Sequence, residues 1–210
     1  MSTGIVRAVS DVQLVPITDA KRQVTVDRIR AAALGLLIER GLDVTMDEVA
    51  DAAGVGRRTL FRHFESRDQL LASALAGGIQ RYGEQLPAFS GEWRTWLRAL
   101  CDAAHQMQAG YGPGYWELMH RSDLPPQLAE VERDRRERRS RAMQRIAGKL
   151  WRESGGSGAA PAAFVAVVAS HLSARFTAAV IDDAEQPWQV AADLAFDAIS
   201  AALEARDEGG

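Results

Sequence analysis

The chain has 210 residues, 25% of them charged, and a formal net charge of −3, which allows one sizeable core or a small module joined to a larger domain. A hydrophobic share of 47% with 7% aromatic residues, rich in Ala and Arg and poor in the residues strands favour, points to an all-α protein. The totals exclude a globally basic nucleic-acid binder and, with Cys101 the single cysteine, a disulfide framework or a thiolate metal site; no run approaches the roughly 20 apolar residues that span a bilayer.

Residues 1–24 mix small, apolar and charged types without a sustained period and read as a mobile arm with no secretory leader, so a reducing, cytoplasmic setting is expected. From Val26 a helical period begins: Ile29, Ala33, Leu36 and Leu37 share a face, and Gly41 stands where a helix ends in a left-handed residue. Thr45 and Glu48 form a capping box that opens a second helix running to about Ala53. Gly54-Val55-Gly56 is a tight corner, with Val55 as its apolar plug, and Arg57 to Phe64 is a short third helix that turns Leu60 and Phe64 inward. Ser66 and Gln69 cap a fourth helix carrying Leu70, Leu71 and Leu75. Longer helices follow over 92–108, 115–120, 127–152, 161–182 and 187–206, about nine in all, with the small-residue run Ser154 to Ala160 as a flexible connection.

With Leu60 and Phe64 buried, the 100° step per residue leaves Arg58, Phe61 and Arg62 facing out, with Arg57 and Thr59 at the exposed N-terminal edge. A helix end with orphan amides, a partial positive charge and adjacent guanidinium groups suits a polyanion, and a helix fits the major groove of B-DNA. That layout is a helix-turn-helix, whose second helix reads bases while the first crosses the backbone.

Residues Val26 to Leu71 resemble the DNA-binding segment of the TetR (tetracycline-repressor-like) family of bacterial regulators. The resemblance is carried by Ala32 and Leu36, Gly41, Thr45, Val49-Ala50, Ala53-Gly54-Val55, Thr59 through Phe64, and Arg67 with Leu70. It implies that Thr45, Thr59, His63 and Arg67 hold phosphates and that Arg57, Arg58 and Arg62 match or neighbour base-reading positions. Phe61 departs from the tyrosine usual in the family, so a thymine-methyl or sugar contact replaces a phenol-to-phosphate bond; Arg67 replaces a lysine and keeps the charge. Asp47 and Glu48 bring negative charge to the backbone-facing end of the second helix. Arg7, Lys21 and Arg22 of the arm could reach the minor groove, although a tail without a DNA role is the plainer reading.

Layout alone extends the resemblance to the rest of the chain, which in the family binds a small molecule and dimerises. The stripe Phe164, Val168, Leu172, Phe176 and its partner Trp188, Ala195, Ile199 give two helices more apolar face than one monomer edge needs; a four-helix bundle between two subunits, or completion of one core, would use it. Aromatic and soft residues concentrate mid-chain, and Trp96, Tyr115, Trp116 and Met119 are the effector-binding candidates, against ordinary core packing. The arginines between Glu130 and Arg145 are spaced for i,i+3 and i,i+4 pairing with their acidic neighbours, as a self-compensated face would be, with an anionic effector or a second DNA contact as the lesser alternative.

The expected organisation is thus an arm over 1–24, a helix-turn-helix domain over 25–71, an effector-binding and dimerisation domain over 72–206 and a tail over 207–210. The expected function is a cytoplasmic, homodimeric transcriptional regulator and repressor that binds an inverted-repeat operator in double-stranded DNA and is released by a largely apolar small-molecule effector. It uses no cofactor, no metal and no membrane. Control by a protein partner, or by no effector, is the alternative; an all-helical enzyme is a remote one, since no nucleophile elbow, zinc-protease motif, Walker loop or dinucleotide fingerprint occurs in the sequence.

Overall fold

A computed structural model describes residues 17–205; Arg7 and the rest of the first sixteen residues lie outside them. Ten α-helices follow in order: α1 Ile17–Arg40, α2 Met46–Ala53, α3 Arg57–His63, α4 Arg67–Gln85, α5 Trp93–Gln108, α6 Pro113–His120, α7 Pro126–Glu153, α8 Ala162–His171, α9 Ala174–Ala178 and α10 Trp188–Glu204. A 3₁₀ turn, Gly41–Asp43, closes α1, and a π turn, Ala179–Asp183, closes α9. No strand occurs among the described residues, and no single helix among them is long and apolar enough to cross a membrane.

Two expectations about the helices are corrected. The arm expected over 1–24 is helical from Ile17, well before the apolar period starts at Val26. This first stretch is mostly polar, with Val24 exposed to solvent; it extends the buried part of α1 one hydrogen bond per residue, with Gln23 Nε2 donating to Asp27 Oδ1 at 2.9 Å and Thr25 Oγ1 to the Lys21 carbonyl at 3.0 Å. The fourth helix, expected to carry Leu70, Leu71 and Leu75 across the 71/72 domain boundary, runs unbroken for 19 residues as α4. The helix expected over 161–182 is broken at Ser173, which is extended at φ −101°, ψ 147° and accepts from the Phe176 amide, so that the two segments meet at 47°. A serine hydroxyl can serve either a helix interior or a cap, and here capping wins.

Two apolar cores result. The first joins α1 to α4 through Ile29, Leu37, Val49, Leu60, Leu70 and Leu71, and takes in Leu118 of α6 and Leu128 of α7. The second joins α5, α7, α8 and α10 through Leu97, Leu100, Leu150, Val168, Ile199 and Leu203. Of the seven residues expected at a dimer interface, Phe164, Val168, Leu172, Ala195 and Ile199 are buried in this second core, and only Phe176 and Trp188 are half-exposed. The i,i+4 stripe is spent inside the monomer because α5 and α7 cover it. The outward sides of the same two helices carry Ala162, Ala166, Leu194 and Ala201, all exposed.

A polar chain links α4, α5 and α9. Gln108 Nε2 donates to Tyr82 Oη and to the Leu172 carbonyl, which fixes its amide so that Oε1 accepts from Thr177 Oγ1 at 2.6 Å. Having given its proton to Gln108, the Thr177 hydroxyl accepts from His105 Nδ1 at 2.7 Å, and His105 Nε2 is left buried without a partner. Such a ring must stay neutral. Burial first, and the nearby His171 second, lower its pKa to about 4.

The sign of the linkage follows. Unfolded histidine protonates near pH 6.5, so between that value and pH 4 the unfolded chain binds the extra proton and stability falls as pH falls. Burial also depresses His63, acting in the same direction. We expect a loss on the order of 3 kcal/mol from His105 across that window, since each pH unit between the unfolded and folded values is worth about 1.4 kcal/mol. Melting temperatures of the native protein and His105→Gln between pH 7 and 5 check it: the variant should show the flatter profile, and equal slopes would count against a neutral His105.

Candidate nucleic-acid interface

The capping box forms as its spacing predicts. The Glu48 amide donates to Thr45 Oγ1 at 3.3 Å while Glu48 Oε2 accepts from the Thr45 amide at 2.8 Å, and these bonds hold the Glu48 carboxyl down at about 2. Arg40 also pairs with Glu48 at 2.7 Å, so this carboxylate is turned back into the fold. Gly54 takes the left-handed conformation, φ 60° and ψ 41°, that a side chain would resist, and its amide satisfies the Ala50 and Asp51 carbonyls. Val55 packs half-buried on the first core. The corner is braced from outside by Arg28, which donates to the Gly54 carbonyl at 3.4 Å.

Helix α3 then leaves the corner with Leu60 and Phe64 buried and Arg57, Arg58, Phe61 and Arg62 exposed. Phe61, with 42% of its surface open to solvent, is among the few large apolar side chains that face out. Thr59 and His63 are half-buried beside this face, and Thr45 is exposed at the start of α2.

The four arginines proposed for DNA are not equivalent. Arg57 Nη1 donates to Asp47 Oδ2 at 2.7 Å and its guanidinium lies 5.5 Å from the Phe61 ring centre. Asp47 is therefore engaged by α3. Arg67 is held more firmly, donating to the Leu42 carbonyl at 3.0 Å and to Asp68 Oδ1; it ties the start of α4 to the turn after α1 and has little left to offer a phosphate. Arg58 and Arg62 have no ion pair among the described residues, which leaves their donors available to base edges.

A recess of about 390 Å³ opens beside α3, lined by Arg22, Gln23, Val26, Arg30, His63 and Phe64. His63 Nε2 is buried there without a partner, and burial, with Arg62 and Arg22 close by, keeps the ring neutral. Two guanidinium groups, those of Arg22 and Arg30, around a polar recess suit a phosphate. Arg30 was not legible as a site residue from the sequence, although Arg22, Val26 and Arg30, four apart, share a helical face that could have indicated it.

The effector candidates are not brought together. Trp96 is buried in the second core, with Nε1 donating to the Pro87 carbonyl at 2.9 Å. Tyr115, Trp116 and Met119 lie on α6 beside the first core: Tyr115 stacks on Tyr111 at 4.1 Å and meets Trp116 edge-on, and Met119 Sδ lies 3.1 Å from Arg135 Nη2. Trp96 lines a groove of about 790 Å³. Burial pushes the Cys101 thiol up to about 12, so it is not a nucleophile at neutral pH. Among the described residues no group of His, Cys, Asp or Glu could hold a metal ion.

The helix-turn-helix matches a known pattern. Residues 29–74 fit the model described as bacterial regulatory proteins, tetR family. Over 96 residues, 44% of the chain, it is 31% identical to the uncharacterized HTH-type transcriptional regulator TtgW of Pseudomonas putida, covering 72% of that protein. It is also 31% identical over 96 residues to the HTH-type transcriptional regulator SrpR of the same species, where the matched stretch spans only 45% of the relative's length. Its fold is similar to that of a tetR-family transcriptional regulator from Streptomyces coelicolor, with a TM-score of 0.64 and 18% identity over 89% of this chain and 84% of that one. The transcriptional regulator FadR from Bacillus subtilis, solved in complex with stearoyl-CoA, gives a TM-score of 0.61 and 14% identity over 82% and 96% of the respective chains.

Proposed function

The chain belongs to the tetR family of bacterial regulatory proteins, and from that premise we propose that it is a homodimeric repressor that binds an inverted-repeat operator and is released by a small-molecule effector. The observation that carries the DNA-binding step is the division of labour on α3: Leu60 and Phe64 anchor inward while Arg58 and Arg62 face solvent without an ion pair among the described residues. Thr45, Thr59 and the recess at His63 take phosphates, and the two free arginines read guanines, since each can meet guanine O6 and N7 with two parallel bonds.

Dimerisation uses the outward sides of α8 and α10 in place of the stripe first expected. Val190, Leu194, Ala198 and Ala201 lie along one face of α10, with Leu194 48% exposed, and Ala162 and Ala166 face out from α8. Small residues let two helix pairs approach closely, as a four-helix bundle requires. Two reading heads on such a dimer fit half-sites about one helical turn, near 34 Å, or a multiple apart.

Selection of bound sequences from random duplex DNA tests the reading. The native protein should return an inverted repeat with a guanine in each half, and its binding should weaken steeply with salt. Leu194→Asp should yield monomers that select only a weakly held half-site. Recovery of unrelated sequences, or of an inverted repeat by a monomeric variant, would overturn the respective step.

A further inference from the structure

Charge along α7 changes character at Glu137. Before it, Arg135 and Arg136 both bond Glu132, which is buried between them, and from beyond it Arg141 reaches back to Glu137 at 2.7 Å. After it, residues 138–152 hold six cations, Arg138, Arg139, Arg141, Arg145, Lys149 and Arg152, and no Asp or Glu. The self-compensated face expected from the sequence thus covers only the first half of the helix.

Four of those cations, Arg141, Arg145, Lys149 and Arg152, are spaced four, four and three apart, so they fall on one side of α7 and form one wall of the 790 Å³ groove. The other wall is the segment joining α4 to α5, with Pro87 and Phe89, and Trp96 at the start of α5 supplies apolar floor. Phe89 meets Trp96 edge-on at 5.3 Å, and the Lys149 ammonium lies 3.9 Å from the Phe89 ring centre. Lys149 is also paired with Glu153 at 2.8 Å, but Glu153 is not among the lining residues. Arg145 and Arg152 are exposed and have no ion pair among the described residues. No acidic side chain lines the groove.

The groove is large enough for a small organic ligand. Its aromatic floor would cover an apolar body, while guanidinium groups along one wall would hold a negative head; a neutral ligand would leave those donors unanswered and a cation would be repelled. Position gives the groove leverage. Helix α4 spans about 28 Å at 1.5 Å per residue, from Arg67, which is bonded to the Leu42 carbonyl in the DNA-binding head, to Gln85, whose continuation Leu86–Phe89 forms the groove wall.

We infer that this groove binds an amphipathic organic anion, and that its occupation moves the far end of α4 and so the reading head. The second clause rests on the effector reading above; the first does not.

The test uses 11-(dansylamino)undecanoate, a carboxylate with a flat aromatic body, followed by dansyl fluorescence, with its methyl ester as neutral counterpart. Arg145→Glu with Arg152→Glu reverses two exposed charges outside both cores, and its unaltered duplex affinity without the probe would certify the fold. The native protein should bind one carboxylate per protomer; the ester, and the double variant with the carboxylate, should each bind about tenfold more weakly or worse. Equal binding of ester and carboxylate, or full binding by the variant, would overturn the site. Displacement of the carboxylate by duplex DNA from protein whose α3 carries Arg58→Ala and Arg62→Ala would overturn it in favour of a second nucleic-acid surface. The carboxylate should also release duplex DNA from the native protein and not from the groove variant. Probe binding without release would remove the groove as effector site and leave the DNA-binding step standing.

Discussion

Arg58→Ala combined with Arg62→Ala is expected to abolish discrimination between operator and random duplex while leaving the fold intact. Both side chains are exposed, neither has an ion pair among the described residues, and neither contributes to the first core. Truncation therefore removes only what they offer to DNA. If each arginine holds a guanine bidentately, the two contacts supply about 2–6 kcal/mol of discrimination together, a loss of roughly 30-fold to 20,000-fold in specific affinity. Arg57→Ala should cost less, because its guanidinium must first leave Asp47, 2.7 Å away. Asp47→Ala should then act in the opposite direction, tightening binding to any duplex and steepening the salt dependence by about one phosphate's worth, as a freed Arg57 gains a phosphate. Titration of operator and random duplexes at several salt concentrations separates these cases. An unchanged specificity ratio in the double variant would show that α3 does not read bases.

This division among arginines marks how far the sequence could be read. The helix-turn-helix was legible because each of its joints has a local chemical cause: the Thr45–Glu48 box, the left-handed Gly54, the Ser66 cap and the inward pair Leu60 and Phe64. Which cation is free was not, because the Arg57–Asp47 pair spans ten residues and the Arg67–Leu42 bond twenty-five. The same distinction explains the C-terminal half. Helices α8 and α10 are apolar on more than one side, so periodicity alone could not say whether Val168 and Ile199 face α5 and α7 or a second subunit; only the packing of α5 against α10 decides it. The mid-chain aromatics divide for a related reason. Composition gathered Trp96 with Tyr115 and Trp116, but the former belongs to the second core and the latter two to α6 beside the first. The acid-free stretch 138–152 was present in the sequence all along, and becomes informative only when the α4–α5 connection is seen to close a groove over it.

Gly114→Ala is expected to be the most disruptive added methyl among the described glycines. Gly114 is buried on α6 where that helix crosses the end of α1, and a Cβ there would collide with the Gly41 amide and the Leu37 carbonyl and come within 2.7 Å of the Arg40 amide. All three are backbone atoms, so no side chain can swing aside. Gly112 approaches in the same way, its Cβ position lying 2.8 Å from the Ile38 carbonyl. Helix α6 thus bears directly on the end of α1, with Leu118 buried in the first core beneath it. Overpacking of this kind costs about 1–3 kcal/mol and occasionally more, and at roughly 2–4 °C per kcal/mol for a chain of this size it should lower the melting temperature by about 2–12 °C. A protein that relieves the strain by lifting α6 should still fold its helix-turn-helix, which keeps Leu60 and Leu70 covered by α1, yet lose the fixed spacing between heads. Affinity for a full inverted repeat should then fall towards that for a half-site, while half-site binding itself changes little. A variant with unchanged melting temperature and unchanged preference for the full repeat would show that α6 and α1 are not in close contact.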